Sequence, residues 1–370
     1  MKDKLTIFFS NSISVPKWGG GEKWMITAAT GLKNRGHRVI LSGKAKSVLL
    51  HRAREMGLEV IPLNIYADYS PFKIWYTKRI LKREQVDVIV LNLNKDIRVA
   101  GLAAHWAKVP VILARNGIQL ISDKWKHQKT MGLVDGIITN SETIREAYNS
   151  YSWMPKEKTK VIYNGISIPN GLPKVDIRTL WNIPDYHTIF LAAGRLTTQK
   201  GFDLLVEAVA QMKTRKYPFT VLIAGRGKQR EQLVRLVQKR RLNGQVKFIG
   251  FQSNLLPIMK AADFIIVTSR QEGMPNIVME GMALGKPVLA ARVNGVPELV
   301  EHGKTGYIFD PFNTQAICET ISFALSNQGA PEVQSWGAAA REHIRTRFSL
   351  DNMLDELETY FYEKYARSKR

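Results

Sequence analysis

Thirteen short apolar runs, most of them rich in β-branched residues, alternate with longer amphipathic stretches, and this rhythm constrains the fold of the chain more than any other feature. Seven runs cover residues 5–9, 38–42, 58–63, 86–91, 109–114, 136–140 and 160–164, and six more cover 188–194, 219–225, 246–250, 263–269, 286–291 and 306–309. Helical patterns fill most of the intervals, for example 22–35, 202–216, 228–241 and 276–285. Near-continuous apolar strands separated by helices read as parallel sheets covered on both faces. Between residues 165 and 187 the rhythm breaks on Gly165, Pro169, Gly171, Pro173 and Pro184. The expectation is therefore an α/β chain of two doubly wound parallel-sheet domains, 1–168 and 188–348, joined by a linker over 169–187 and facing a central cleft at the carboxyl ends of their strands. A polar-faced helix over 349–370 packs against one of the two halves, and the length of 370 residues suits two full cores.

Two segments carry residues suited to chemistry. In the first, GRLTTQKG, a strand ends at Gly194, and Arg195 and Lys200 flank a short loop before a helix. Two cations at the carboxyl end of a strand beside a helix N-terminus can hold a diphosphate by charge-assisted hydrogen bonds, and solvated loop charges are the plain alternative. In the second, EGMPNIVMEGMALGKPVLAA, Glu272 follows a strand, Gly273 and Pro275 shape a turn, and Asn276 is placed to cap the helix carrying Glu280. Glu280 lies among Ile277, Val278, Met279, Met282 and Leu284, so its carboxylate needs a partner, and paired ribose hydroxyls suit it. The helix-starting amides from Gly273 through Met274 to Asn276 are expected to face an anion or a sugar hydroxyl.

These segments, with the trailing KPVLAARVNGVPELVEHGKTGYIF, the entry GGGEKWMITAATGLKNRGHRV and the later VIYNGI, resemble the family-four (group 1) retaining glycosyltransferases of GT-B architecture, two Rossmann-like domains. The resemblance implies that Arg195, Lys200 and Glu272 are catalytic, the two cations binding the donor diphosphate and stabilising its developing charge. It places Glu280 on the ribose, and Glu272 with Gly194, Gly273, Met274, Pro275 and Asn276 near the transferred sugar. Gly19 and Gly20 let the N-terminal loop approach the phosphates. Retention then proceeds on one face, the departing phosphate oxygen taking the acceptor's proton. Arg115 and Asn116 stand where many members carry a histidine against the donor sugar, and the chain has Asn164-Gly165-Ile166-Ser167 where an acid commonly ends the linker motif. No Asp-x-Asp occurs, so neither metal nor cofactor is expected.

Charge bears on the acceptor, which the family's N-terminal domain receives. The net charge is +22, and the first 175 residues carry 28 Lys and Arg against 13 Asp and Glu, leaving 26 against 19 for the rest. Such a field attracts polyanions. In the helical stretch 71–84, Ile74, Ile80 and Leu81 share one face, while Lys78, Arg79, Lys82 and Arg83 surround Trp75 on the other. The loop 122–129 repeats the theme with Trp125 between Lys124 and Lys126. Tryptophan within a basic face suits an anionic membrane or a lipid-linked acceptor, and a solvated helix face is the rival reading. His105 is expected in a core, His37 in a structural turn, and His127 and His302 in solvent.

The sequence reading is thus an enzyme that moves a sugar from a nucleotide-sugar donor to a glycan or glycolipid in cell-envelope polysaccharide or lipopolysaccharide synthesis. The alternative is an epimerase or phosphorylase on the same architecture. A nucleic-acid-binding role is disfavoured, because charge is its only support. A single cysteine, Cys318, excludes an internal disulfide, and no apolar run approaches the ~18 residues of a membrane span. The expected location is cytoplasmic, peripheral to the cytoplasmic membrane face.

Overall fold

The computed structural model describes residues 3–118, 121–212 and 217–369. Two compact units emerge. One runs up to Gly165 and includes the C-terminal helix Leu350–Ser368, and the other spans Ile166–Ser349.

The sheet of the first unit has seven strands: β1 (Thr6–Asn11), β2 (Arg38–Gly43), β3 (Glu59–Pro62), β4 (Val88–Leu91), β5 (Val111–Asn116), β6 (Gly136–Thr139) and β7 (Thr159–Val161). They are all parallel in the order 3-2-1-4-5-6-7. The second unit has six: β8 (Thr188–Ala193), β9 (Phe219–Ala224), β10 (Val246–Gly250), β11 (Phe264–Val267), β12 (Val288–Ala291) and β13 (Tyr307–Phe309). These too are parallel, in the order 10-9-8-11-12-13. The strand order reverses between β1 and β4 in one unit and between β8 and β11 in the other. Loops leaving the carboxyl ends of those pairs diverge and open a crevice for ligands.

Alternation along the strands divides the first unit's core into two layers. Ile7, Phe9, Val90 and Leu113 join Met25, Leu32, Leu357 and Phe361 on the side of the helices Gly20–Asn34 and Leu350–Ser368. Phe8, Ile89 and Ile112 join Ile74, Ile80, Leu81 and Tyr148 on the other side. The C-terminal helix is tied to the first unit by polar contacts as well: Arg35 pairs with Asp355 at 2.6 Å and with Glu358, and His37 Nε2 lies 2.7 Å from Glu358 Oε1. The Arg-Gly-His turn therefore serves structure.

Several local expectations change. Residues 169–187 lie within the second unit instead of standing apart as a linker, and carry the short helix Ile177–Leu180. Asp176 Oδ1 accepts the N–H groups of Arg178 and Thr179, and the Arg178 guanidinium donates to the carbonyls of Pro184 and His187, so local hydrogen bonds offset the breaks made by proline. The helix expected over 202–216 is Phe202–Gln211, and residues 213–216 lie outside the described residues.

Candidate functional site

In the second unit, β8 and β11 are neighbours, which brings the loop after Ala193 against the loop after Val267. The Thr268 hydroxyl donates to the Gly201 carbonyl at 3.0 Å, and the Arg270 N–H donates to the Gln199 carbonyl at 2.7 Å. The Arg270 guanidinium donates to Thr198 O at 2.8 Å and, as a fork, to both carboxylate oxygens of Asp203 at 2.7 Å. Gly201 has φ of 63°, and a Cβ there would sit 2.0 Å from the Thr268 carbonyl oxygen, so only glycine fits this crossing. The close approach fixes Lys200 over the second loop.

There, the Lys200 ammonium donates to Glu272 Oε1, and the Ser269 hydroxyl donates to the same oxygen at 2.6 Å. Both charged side chains are largely buried, at 16% and 8% exposure. Arg195 is exposed two residues after β8, with no side-chain partner among the described residues. The loop continues through the buried Gly273, Met274 and Pro275 into the helix Asn276–Ala283. Pro275, not Asn276, is the N-cap, because its extended backbone (ψ 116°) ends the loop and Asn276 is already helical. Glu280 is buried on this helix, and the Gly295 N–H donates to the Gly273 carbonyl at 3.1 Å. Two cations, one carboxylate in a hydrogen-bonded cradle and a second buried carboxylate thus stand along one switch-point edge. Thr268, Gly201 and the Arg270–Asp203 fork escaped the sequence reading, since their roles depend on contacts sixty-seven residues apart, and Ser269, three residues from Glu272, escaped it because a lone serine carries no pattern.

In the first unit, Gly19 is the extended N-cap of the helix Gly20–Asn34, and no side chain caps it. Arg115 and Asn116 end β5 and are buried, at 4% and 0% exposure. Strand alternation sends them to opposite faces. Arg115 lies over the Trp24 ring, its Cζ 4.3 Å from the centroid, and donates to Asn164 Oδ1 at 3.1 Å. Burial pushes its guanidinium down to about 10, against the opposing attraction of Glu22. Neither amide atom of Asn116 has a hydrogen-bond partner among the described residues.

The family model of the group 1 glycosyl transferases matches residues 175–343, and that of glycosyltransferase family 4 matches residues 18–168. An uncharacterised glycosyltransferase of Methanocaldococcus jannaschii is 31% identical over 262 residues, 68% of this chain and 69% of that protein. The chain belongs to the group 1, family-four glycosyltransferases. The O-antigen biosynthesis glycosyltransferase WclY of Escherichia coli is 30% identical over 186 residues, 50% of this chain and 51% of that protein. The chain spans little more than half of several such curated relatives, 58% of another M. jannaschii glycosyltransferase and 51% of WclY. In fold, Anabaena HepE, solved with UDP and glucose, superposes with a TM-score of 0.82 at 22% identity, over 97% of this chain and 100% of that one. The two parallel-sheet units are those of the GT-B glycosyltransferases.

This glycosyltransferase carries its basic aromatic surface where the helix Pro71–Arg83 turns away from the core. Ile74, Thr77, Ile80 and Leu81 are buried, whereas Trp75, Arg79, Lys82 and Arg83 are exposed and Lys78 is half-buried. Arg79 lies over the Trp75 ring at 5.0 Å. Phe72 and Tyr76, exposed beside Trp75 and stacked at 6.3 Å, were not anticipated. Trp125 begins a helix, Trp125–Met131, where a loop was expected, and Lys129 one turn on covers its ring at 4.7 Å. Trp125, Lys124 and Lys126 are exposed. His105 is also exposed, not a core residue, and His302 is exposed as expected, whereas His127 is half-buried; His127 Nδ1 accepts from the Ser122 N–H and His302 Nδ1 from that of Ile308, both at 3.1 Å. Among the described residues no helix is long and apolar enough to cross a membrane.

Proposed function

We propose that this glycosyltransferase takes a sugar from a nucleotide-sugar donor and transfers it with retention, without a metal, to a glycan or glycolipid acceptor of envelope polysaccharide or lipopolysaccharide. The observation that carries this reading is the meeting of Lys200, Glu272 and Ser269 at the β8/β11 switch point. Arg195 and Lys200 take the diphosphate, and Lys200 exchanges the Glu272 carboxylate for phosphate oxygens as the donor arrives. Glu272, freed from the ammonium but still held by Ser269, then accepts hydrogen bonds from the sugar hydroxyls, and Glu280 accepts them from the ribose. Gly19 and Gly20 leave the first unit's loop without side chains that would obstruct a phosphate.

Two positive charges near the leaving diphosphate stabilise its departure electrostatically, the role a metal would otherwise supply. The departing phosphate oxygen accepts the proton of the incoming hydroxyl, so no protein nucleophile is invoked. UDP and glucose with HepE, and the O-antigen role in the name of WclY, support the donor class and the acceptor class. The first unit takes the acceptor, and its exposed Trp75, Arg79, Lys82, Arg83 and Trp125 rest on the anionic headgroups of the cytoplasmic membrane face.

A thermal-shift screen of UDP, GDP, ADP and CMP sugars tests the donor site. One nucleotide series is expected to stabilise the wild type, by about 3 kcal/mol at a hundred times its Kd. Glu280→Ala should abolish most of that shift. No response in the wild type, or a full response in the variant, rejects the assignment.

A further inference from the structure

Five neighbouring strands of the first unit each lead, on the same face, to a polar residue at or just past their carboxyl ends; Asn11, Asn92 and Arg115 are level with one another, and Asn140 and Asn164 follow further along. Phe9, Val90, Leu113, Ile138 and Ile162 all belong to the core layer beneath the helix Gly20–Asn34. Two residues beyond each, and so turned to the same side, come Asn11, Asn92, Arg115, Asn140 and Asn164. All five are at least nine-tenths buried. Their contacts agree with this placement: Asn11 Nδ2 donates to Glu22 Oε1 at 3.0 Å, and Arg115 lies over Trp24, both partners being on that helix. A Cβ on Gly21 would stand 3.5 Å from Asn92 Nδ2 and 3.8 Å from an Arg115 terminal nitrogen, so the uncapped first turn of the helix borders the same space.

The row is rich in unused hydrogen-bonding capacity. Asn92 Oδ1, Asn140 Oδ1 and Trp24 Nε1 are buried without partners among the described residues. Arg115 uses one of its five donors on Asn164, and among the described residues no carboxylate lies within ion-pair distance of it. Glu22 attracts it only through space, its carboxylate being engaged by Asn11. A simple brace against Trp24 would account for the stacked guanidinium but not for the open acceptors on either side. A buried guanidinium with free donors, beside the positive end of a fifteen-residue helix, matches an oxyanion. Flanking amides with open oxygens match hydroxyl groups next to it.

We infer that Arg115 reads a carboxylate or phosphomonoester on a substrate sugar, while Asn92 and Asn140 bind its neighbouring hydroxyls. The sugar is therefore an acidic one. This inference rests on the glycosyltransferase reading above and sharpens its substrate class.

Calorimetric titration of the full chain tests it in two arms at constant ionic strength. Free glucuronate and glucose 6-phosphate are each compared with glucose, and UDP-glucuronate is compared with UDP-glucose. The wild type is expected to prefer the acidic member of at least one comparison by about tenfold or more, and Arg115→Gln to lose that preference. Preference among the free sugars places the acid on the acceptor, and preference between the nucleotide sugars places it on the donor. Equal binding within every comparison, or the same preference in Arg115→Gln, overturns the inference. Arg115→Lys keeps the charge without the fork and should weaken the preference several-fold. It carries the test if the glutamine variant does not fold, and a wild-type preference in it also overturns the inference. UDP, GDP, ADP and CMP, each added alone to the same proteins, separate the two readings: if one of them binds and no acid preference exists, only this inference falls, and if none binds, the donor-site reading falls.

Discussion

Lys200 and Glu272 form an ion pair across two loops seventy-two residues apart, and the Ser269 hydroxyl shares the same carboxylate oxygen. A lysine and a glutamate assigned to two different parts of one donor thus restrain each other before any donor is bound. The pair holds both groups extended toward the switch point, and a diphosphate has only to displace a carboxylate from the ammonium.

Removing one partner should therefore cost stability as well as binding. Lys200→Met leaves a buried carboxylate held by Ser269 alone and is expected to destabilise folding by about 2 kcal/mol, less than a fully dry pair because both groups keep some exposure. Lys200→Met with Glu272→Gln should recover most of that loss while remaining unable to bind a nucleoside diphosphate. Urea unfolding of the two variants measures the first effect and calorimetry the second. Equal instability in the single and double variants would contradict it.

Gly201→Ala should be more severe than a surface glycine change. The new methyl group meets the Thr268 carbonyl at 2.0 Å in a left-handed backbone, so the two loops must separate. A loss of at least about 2 kcal/mol is expected, with weakened nucleotide binding. Gly244→Ala, where a Cβ meets nothing within 4 Å, is the control. Thermal unfolding of both variants decides the point.

Asp96 gives the first unit a pH signature. Burial raises its carboxyl to about 6, although the Ser12 N–H donates to both its oxygens at 3.0 and 3.1 Å. A folded-state value above the unfolded one of ~3.9 means the native state binds the extra proton, so this group adds stability as pH falls from about 6 to 4 and withdraws it as pH rises. Relative to Asp96→Asn, the wild type should gain up to about 3 kcal/mol over that interval. Chemical denaturation at pH 4, 5, 6 and 7 checks the difference, and a constant offset between the two proteins would refute it.

The basic aromatic surface predicts selective adsorption. Wild-type protein should co-sediment with vesicles containing anionic phospholipid and less with neutral ones, and the difference should shrink in high salt. Replacing Arg79, Lys82 and Arg83 by glutamine should lower partitioning by roughly a hundredfold, at about 1 kcal/mol per cation. Trp75→Ala should weaken it independently of salt. Equal binding to both vesicle types would remove the membrane role.

Much of the fold was legible because parallel strands buried on both faces must be apolar throughout. Runs such as VDVIVL and FTVLIA could be placed without knowing their neighbours. The helix Trp125–Met131 was not legible, since only Thr130 and Met131 at its end are buried and its sequence has no apolar stripe. His105 shows the converse: a helix apolar in sequence did not reveal which of its faces meets solvent. Asn276 was a sound candidate cap by residue type, but the chain had already turned at Pro275.

The candidate site divides along the same physical line. Local chemistry by itself determined the two strand–turn–helix segments, the cations Arg195 and Lys200, the carboxylates Glu272 and Glu280, and the family to which such a pattern points. Only tertiary structure decided that β8 lies beside β11, so that Lys200 meets Glu272, and that the carboxyl ends of five neighbouring strands bring Asn11, Asn92, Arg115, Asn140 and Asn164 to one face of the sheet. Side-chain periodicity is a property of a few consecutive residues and is written in the sequence. The burial of a charge, and the partner it finds there, depend on strand order and register, which bring together residues that no local pattern connects.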